Sequence, residues 1–165
     1  MHNRHRSQFL ALIAAASCLT LPGCGGVNSL SDFYEKYIVG TGDQIVHALD
    51  NAVSLDIDAG TFNDLVTLLF ASLLNIPLSA LILVTGIDFQ IEQDVDPLKS
   101  LLLELLYDPA NIPAGFNESD LALWFLKDGI ATKLNSATFD FTANKVKAEI
   151  TEEGQYVVAV ENPES

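Results

Sequence analysis

Thiols, imidazoles and positive charge are all scarce in this chain. Its two cysteines, Cys18 and Cys24, both fall within the first 24 residues. No thiol follows, so the rest of the chain carries no disulfide framework, and the count excludes a zinc site built from Cys and His. Of three histidines, only His47 lies beyond the N-terminal stretch. Nucleophilic hydrolysis needs an activated Ser, Thr or Cys with a base in reach, and no Gly-x-Ser-x-Gly occurs. Lys and Arg number 8 against 22 Asp and Glu, a formal charge of −14. Nucleic acid and anionic lipid surfaces are therefore poor partners. An acidic balance suits divalent cations, a basic partner, or plain solubility in salt. There is no internal repeat, low-complexity tract or nucleotide fingerprint.

The N-terminus is more explicit. Arg4 and Arg6 precede a largely apolar run from Phe9 to Leu21 with no acidic residue before it. The run is short for a bilayer span and has the layout of a secretory signal. It closes on Leu21-Pro22-Gly23-Cys24, which resembles the lipobox of bacterial lipoproteins, with Pro22 standing where that family usually has a small residue. The resemblance covers about the first 24 residues and implies nothing about the remaining fold. It implies acylation of the Cys24 sulfur, cleavage before Cys24, further lipid on the new N-terminus, and hence a palmitate-type membrane anchor in a bacterial cell envelope. Several acyl chains on one residue hold firmly, because each buried methylene contributes about 0.8 kcal/mol. Gly25 replaces the Asp that marks inner-membrane retention in the enteric sorting pattern, which favours the outer membrane. Residues 1–23 are then a removed signal peptide and residues 24–30 a lipidated tether. The competing readings are an ordinary cleaved signal peptide with Cys24 an incidental thiol, and an earlier site at Ala15-Ala16-Ser17-Cys18 that cuts the apolar run short.

Residues 31–161 are expected to form one α+β domain, with 162–165 a frayed tail. A helix is expected from Ser31 or Asp32, carrying Phe33, Tyr37, Ile45, Ala48, Leu49 and Ala52 and broken at Gly40-Thr41-Gly42. That Gly-Thr-Gly-Asp has no preceding strand and no Lys-Ser/Thr pair, so it is not a phosphate loop. Asp43, His47 and Asp50 would share one helical face, as solvated surface or as a metal or base site. Val53 to Asp58 alternates as a half-buried strand. Asp56-Ile57-Asp58-Ala59-Gly60 echoes a calcium loop, but Thr61 and Thr67 stand where glycine and a bidentate Glu belong.

Leu65 to Ile87 carries no charge and is long enough to span a membrane as a helix. Its acidic flanks and the Asn75-Ile76-Pro77 interruption favour instead a buried helix, Phe62 to Leu74, and a second buried element, Leu78 to Val84, tilted toward strand by Ile82 and Val84. A strand follows over Ile87, Phe89 and Ile91. Asp96-Pro97 then starts a helix with a stripe of Leu98, Leu101, Leu102, Leu105 and Leu106, ending at Tyr107-Asp108-Pro109. After the loop Pro109 to Phe116, another helix is capped by Asn117 or Ser119 and carries Leu121, Leu123, Trp124, Phe125 and Leu126. Asn117-Glu118-Ser119 matches a glycosylation acceptor, read as a chance match in a bacterial lipoprotein. Three C-terminal runs read as an antiparallel meander: Phe139 and Phe141 alternating with Thr138, Asp140 and Thr142, then Val146 to Ile150, then Tyr156 to Val160. The expected fold is thus an antiparallel sheet including this three-stranded meander, one face covered by leucine-rich helices.

The functional expectation is a lipid-anchored envelope protein acting as a non-enzymatic interaction or structural module. It has no catalytic residues, no cofactor and no metal, with the membrane as partner through Cys24 and a protein partner open. Two alternatives stand beside it. One is an anchored hydrolase using paired carboxylates such as Asp56 and Asp58; the other is a bitopic protein spanning at residues 65–87.

Overall fold

The computed structural model describes residues 34–73 and 79–163. Eleven strands run through them: β1 Glu35–Val39, β2 Gln44–Ala48, β3 Val53–Ile57, β4 Val66–Ser72, β5 Leu81–Ile91, β6 Leu101–Leu106, β7 Ala122–Lys127, β8 Ile130–Lys133, β9 Thr138–Asp140, β10 Lys145–Ile150 and β11 Gly154–Glu161. They build a six-stranded sheet, β1-β4-β5-β11-β7-β8, and a five-stranded sheet, β2-β3-β6-β10-β9, with antiparallel pairing throughout. One core cluster draws from both sheets, so the two pack face to face as a sandwich. Period two sets the pattern: Val53, Leu55 and Ile57 from β3, Leu101, Leu103 and Leu105 from β6, and Val146, Ala148 and Ile150 from β10 point inward and are buried. From the other sheet come Val66, Leu68 and Phe70, then Tyr156, Val158 and Val160. Phe70 and Phe89 stack at 5.3 Å with Tyr37 edge-on to Phe70 at 5.9 Å, so aromatics fill the centre of this layer. Each such side chain contributes about 1.5–3 kcal/mol of burial.

This architecture corrects the α+β expectation. Helical structure among the described residues is limited to two 3-10 turns, Pro109–Asn111 and Glu118–Asp120. The helix expected from residues 31–52 is instead β1 and β2, with Gly40-Thr41-Gly42 in the connection between them. Phe62–Leu74 contains β4; the leucine stripe is β6; and Asn117 precedes a single 3-10 turn before β7. The reason is visible in β6. The stripe of Leu98, Leu101, Leu102, Leu105 and Leu106 fits a helical period, but Leu103 fits only a strand, and Leu103 is one of the most deeply buried side chains. Tertiary pairing on both sides, with β3 and β10, overrides leucine's helix preference.

The C-terminal meander is corrected as well. β9 and β10 pair as expected, but β11 leaves β10 and enters the other sheet between β5 and β7. The chain changes sheet at Thr151-Glu152-Glu153-Gly154. The Glu153 carboxylate accepts the amide of Ile91 at 2.9 Å, the Tyr156 hydroxyl donates to the Glu152 carbonyl at 2.6 Å, and Gly154 takes φ +149°. Those contacts aim the strand at β5. The strands expected at Val53–Asp58 and Ile87–Ile91 are present as β3 and the end of β5.

Candidate functional site

At one end of the sandwich, the long β6–β7 connection and the β9–β10 turn flank a shallow, open groove of about 640 Å³. Pro109, Ile112, Pro113, Ala114, Phe116 and Phe141 supply its apolar surface, and Asn117, Glu118 and Ser119 its polar rim. Local chemistry fixes the loop. Asp108 accepts the amide of Ala110 at 2.9 Å, with Pro109 preset in φ for the first 3-10 turn. The amides of Ile112 and Phe116 donate to the carbonyls of Pro109 and Pro113. Gly115 then adopts φ +95°, which a side chain would resist. Asn117 and Asp120 close the second turn reciprocally: the Asn117 amide donates to the Asp120 carboxylate at 2.8 Å, and the Asp120 amide to the Asn117 carbonyl at 2.9 Å.

An aromatic ladder links groove to core. Tyr107 is buried and meets Phe139 edge-on at 6.3 Å; Phe139 in turn stacks on Phe141 at 5.8 Å. Phe141 is 45% exposed, at the head of a turn that Asp140 holds by accepting the amides of Thr142 and Ala143. A large apolar ring at a solvent-facing turn is an unusual use of that position. The Tyr107 hydroxyl donates to Glu118 at 3.1 Å, which orients the rim carboxylate. Burial first, then that hydrogen bond and the charges of Glu118 and Asp140, push the Tyr107 phenol up to about 12. The hydroxyl therefore stays protonated as a fixed donor at neutral pH.

The residues singled out from sequence do not converge on this groove. Cys24 lies outside the described residues. Asp56 sits exposed on the outer face of β3 and Asp58 exposed just past its end, and neither lines the groove. Asp43, His47 and Asp50 are not on a helix face. Asp43 accepts the Ala59 amide at 2.6 Å, His47 faces outward from β2, and Asp50 occupies the β2–β3 turn at φ +55°. The Gly-Thr-Gly loop and the calcium-like turn brace one another, the Gly60 amide donating to the Thr41 carbonyl at 2.9 Å while Lys99 reaches the Ala59 carbonyl. A second depression of about 210 Å³ gathers Glu92, Asp94, Asp96 and Glu153 beside β5. Glu92 pairs with Lys36 at 3.1 Å and Glu153 holds the Ile91 amide. Among the described residues, no group of three or more His, Cys, Asp or Glu is placed to hold a metal ion. Within Leu65–Ile87 the chain forms β4 and the first part of β5, and no described helix is long and apolar enough to cross a membrane.

From sequence, Phe116 falls at a loop end and Phe141 in a strand, whereas Phe141 lies just past β9 and exposed; the site they form with the Tyr107–Glu118 pair is not read from sequence. The available signals were the two prolines of a long loop without Lys or Arg and a phenylalanine set directly before Thr142-Ala143-Asn144. No family model matches the chain, and no curated protein is a significant sequence relative.

Proposed function

We propose that this protein is a lipid-anchored component of a bacterial cell envelope whose β-sandwich acts as an interaction module held at a membrane surface. The anchor rests on one observation: Leu21-Pro22-Gly23-Cys24 closing an apolar run that follows Arg4 and Arg6. The interaction role draws support from the groove, where rigid loop chemistry holds Phe141 in solvent beside an oriented Glu118. Long ordered loops on a rigid scaffold are where sandwiches carry recognition.

The test is metabolic labelling with palmitate and alkaline carbonate extraction of membranes, comparing the full chain with Cys24→Ala. Labelled wild type retained in the pellet, beside an unlabelled variant that is cleaved and released, is the expected result. A cleaved Cys24→Ala chain that remains in the membrane without aggregating would overturn the reading, because something other than lipid would then be holding it.

A further inference from the structure

We infer that the groove between the β6–β7 loop and the β9–β10 turn receives a short extended segment of a protein partner in which a lysine or arginine alternates with apolar side chains. This rests on the interaction reading above and names its partner by chemistry. The first argument is charge. Four carboxylates, Asp108, Glu118, Asp120 and Asp140, belong to the two segments that form the groove, and neither Leu106–Leu126 nor Thr138–Asn144 contains a Lys or Arg. Lys145, the next cation along, is already engaged with Glu104 at 3.1 Å. Only Glu118 of the four lines the groove, and Lys147 offsets part of the Asp140 charge, so an incoming cation meets a net negative rim while an acidic partner is repelled.

The second argument is shape and surface. Phe141 has one face taken by Phe139, which leaves the other for an aliphatic stem or a cation. Two prolines and Ile112 extend the apolar surface beyond that ring. Proline and aromatic side chains lining an open groove suit an extended backbone, which arrives with little conformational freedom left to lose. The third is preorganisation: Tyr107 fixes Glu118, and paired turns fix the loop, so binding orders little on this side. Neutral glycans also stack on aromatic rings and donate hydroxyl hydrogen bonds to carboxylates, so a glycan competitor is part of the test.

The test uses the full-length protein in a nonionic detergent, with fluorescence anisotropy of a fluorescein-labelled nonapeptide of repeating Lys-Pro-Leu. Peptides of Glu-Pro-Leu and Lys-Pro-Ser, and unlabelled cellohexaose as competitor, complete the set. Lys-Pro-Leu should bind best, and Phe141→Ala should weaken it by about tenfold or more, as loss of a central aromatic anchor does. Glu118→Gln should weaken it by roughly twofold to fivefold, the range of an accessible ion pair. Ile45→Ser, on a different face, should change nothing. If Phe141→Ala fails to fold by circular dichroism, Phe141→Leu and Glu118→Gln carry the test. Equal binding of Lys-Pro-Ser, insensitivity to both groove variants, or displacement by cellohexaose would overturn the proposal. Failure of the anchor alone is separable, because a Cys24→Ala chain can lose the membrane and still bind the peptide.

Discussion

The two outer faces of the sandwich are built on opposite principles. On the five-stranded sheet the outward positions are open to solvent and include an ion-pair network: Glu104 of β6 lies between Lys145 at 3.1 Å and Lys147, both on β10. Across the molecule, Val157 and Ala159 of β11 alternate with the core residues Tyr156, Val158 and Val160, so they face away from the core. Both are nonetheless fully buried, in a second cluster with Leu81 and Leu126 against which Leu73, Leu83 and Trp124 pack. The Trp124 indole N–H is buried there without a hydrogen-bond partner among the described residues, while Lys133 stands 5.6 Å from its ring centre. A central strand with apolar residues on both faces behaves as a two-sided core; one with charges outside behaves as an ordinary half-buried strand.

The sharpest way to break this contrast is a charge at Val157. Val157→Asp places an unpaired carboxylate among Leu81, Leu126 and Ala159, and we expect a loss of about 3–5 kcal/mol, read as a fall in the urea midpoint. An effect below about 1 kcal/mol would mean that this face is wet. Next in size is Gly86→Ala. The added Cβ would lie 2.7 Å from Val157 Cγ1 and 3.2 Å from the Tyr156 carbonyl, where neither backbone nor a β-branched side chain yields easily. About 1–3 kcal/mol should be lost through overpacking, and Val157→Ala in the same chain should recover part of it, a coupling that equilibrium unfolding of the double variant measures.

The same contrast explains which parts of the fold were legible. β3 and β10 alternate apolar with polar residues, Val53-Ser54-Leu55-Asp56-Ile57 and Val146-Lys147-Ala148-Glu149-Ile150, because their outer face is charged, and they read as strands directly. In β4 and β7 the outward residues include Leu69, Trp124 and Leu126, so the alternation vanishes and a continuous apolar run remains. Such a run fits a buried helix as well as a strand. β6 was lost for a related reason: Leu102 and Leu106 stand on its outer face beside Glu104, and period two disappears among leucines. β10 and β11 were each found as strands, but the short Thr151–Glu153 connection looks the same whether the chain turns back within one sheet or crosses to the other. The groove was legible only as a proline-bearing loop, since the stacking of Phe141 on Phe139 and the reach of Tyr107 to Glu118 depend on how β6 and β9 flank β10.

Acid should sharpen the comparison through the ion-pair network at Glu104. The hydrogen bond from Lys147, with Lys145 adding to it, holds the Glu104 carboxyl below the usual glutamate range, more than offsetting the opposing effect of partial burial. A depressed folded-state pKa means that the unfolded chain takes up the proton first, so this group's stabilisation is present above the ordinary glutamate pKa and is lost as pH falls through its lowered folded-state value. Glu104→Gln should therefore cost about 1 kcal/mol at neutral pH, the upper end for an accessible ion-pair network. The difference from wild type should shrink toward zero in strong acid. Unfolding curves at neutral and acidic pH check this, and a gap independent of pH would assign Glu104 a packing role instead of an ionic one.

The smallest effect expected belongs to Ile45. It lies on the charged face, 60% exposed, opposite Asp56 in the β2–β3 pair. By the logic of the other face an apolar side chain pointing outward is core, and Ile45→Ser would be costly. But β2 is an edge strand with a partner on one side only, and the outward residues around it are His47, Ser54 and Asp56. Burial, not outward or inward direction, sets the cost of losing apolar surface. Ile45→Ser should shift stability by no more than about 0.5 kcal/mol. A larger loss by the same urea titration would mean that Ile45 is covered in solution, and that the charged face is not the open one.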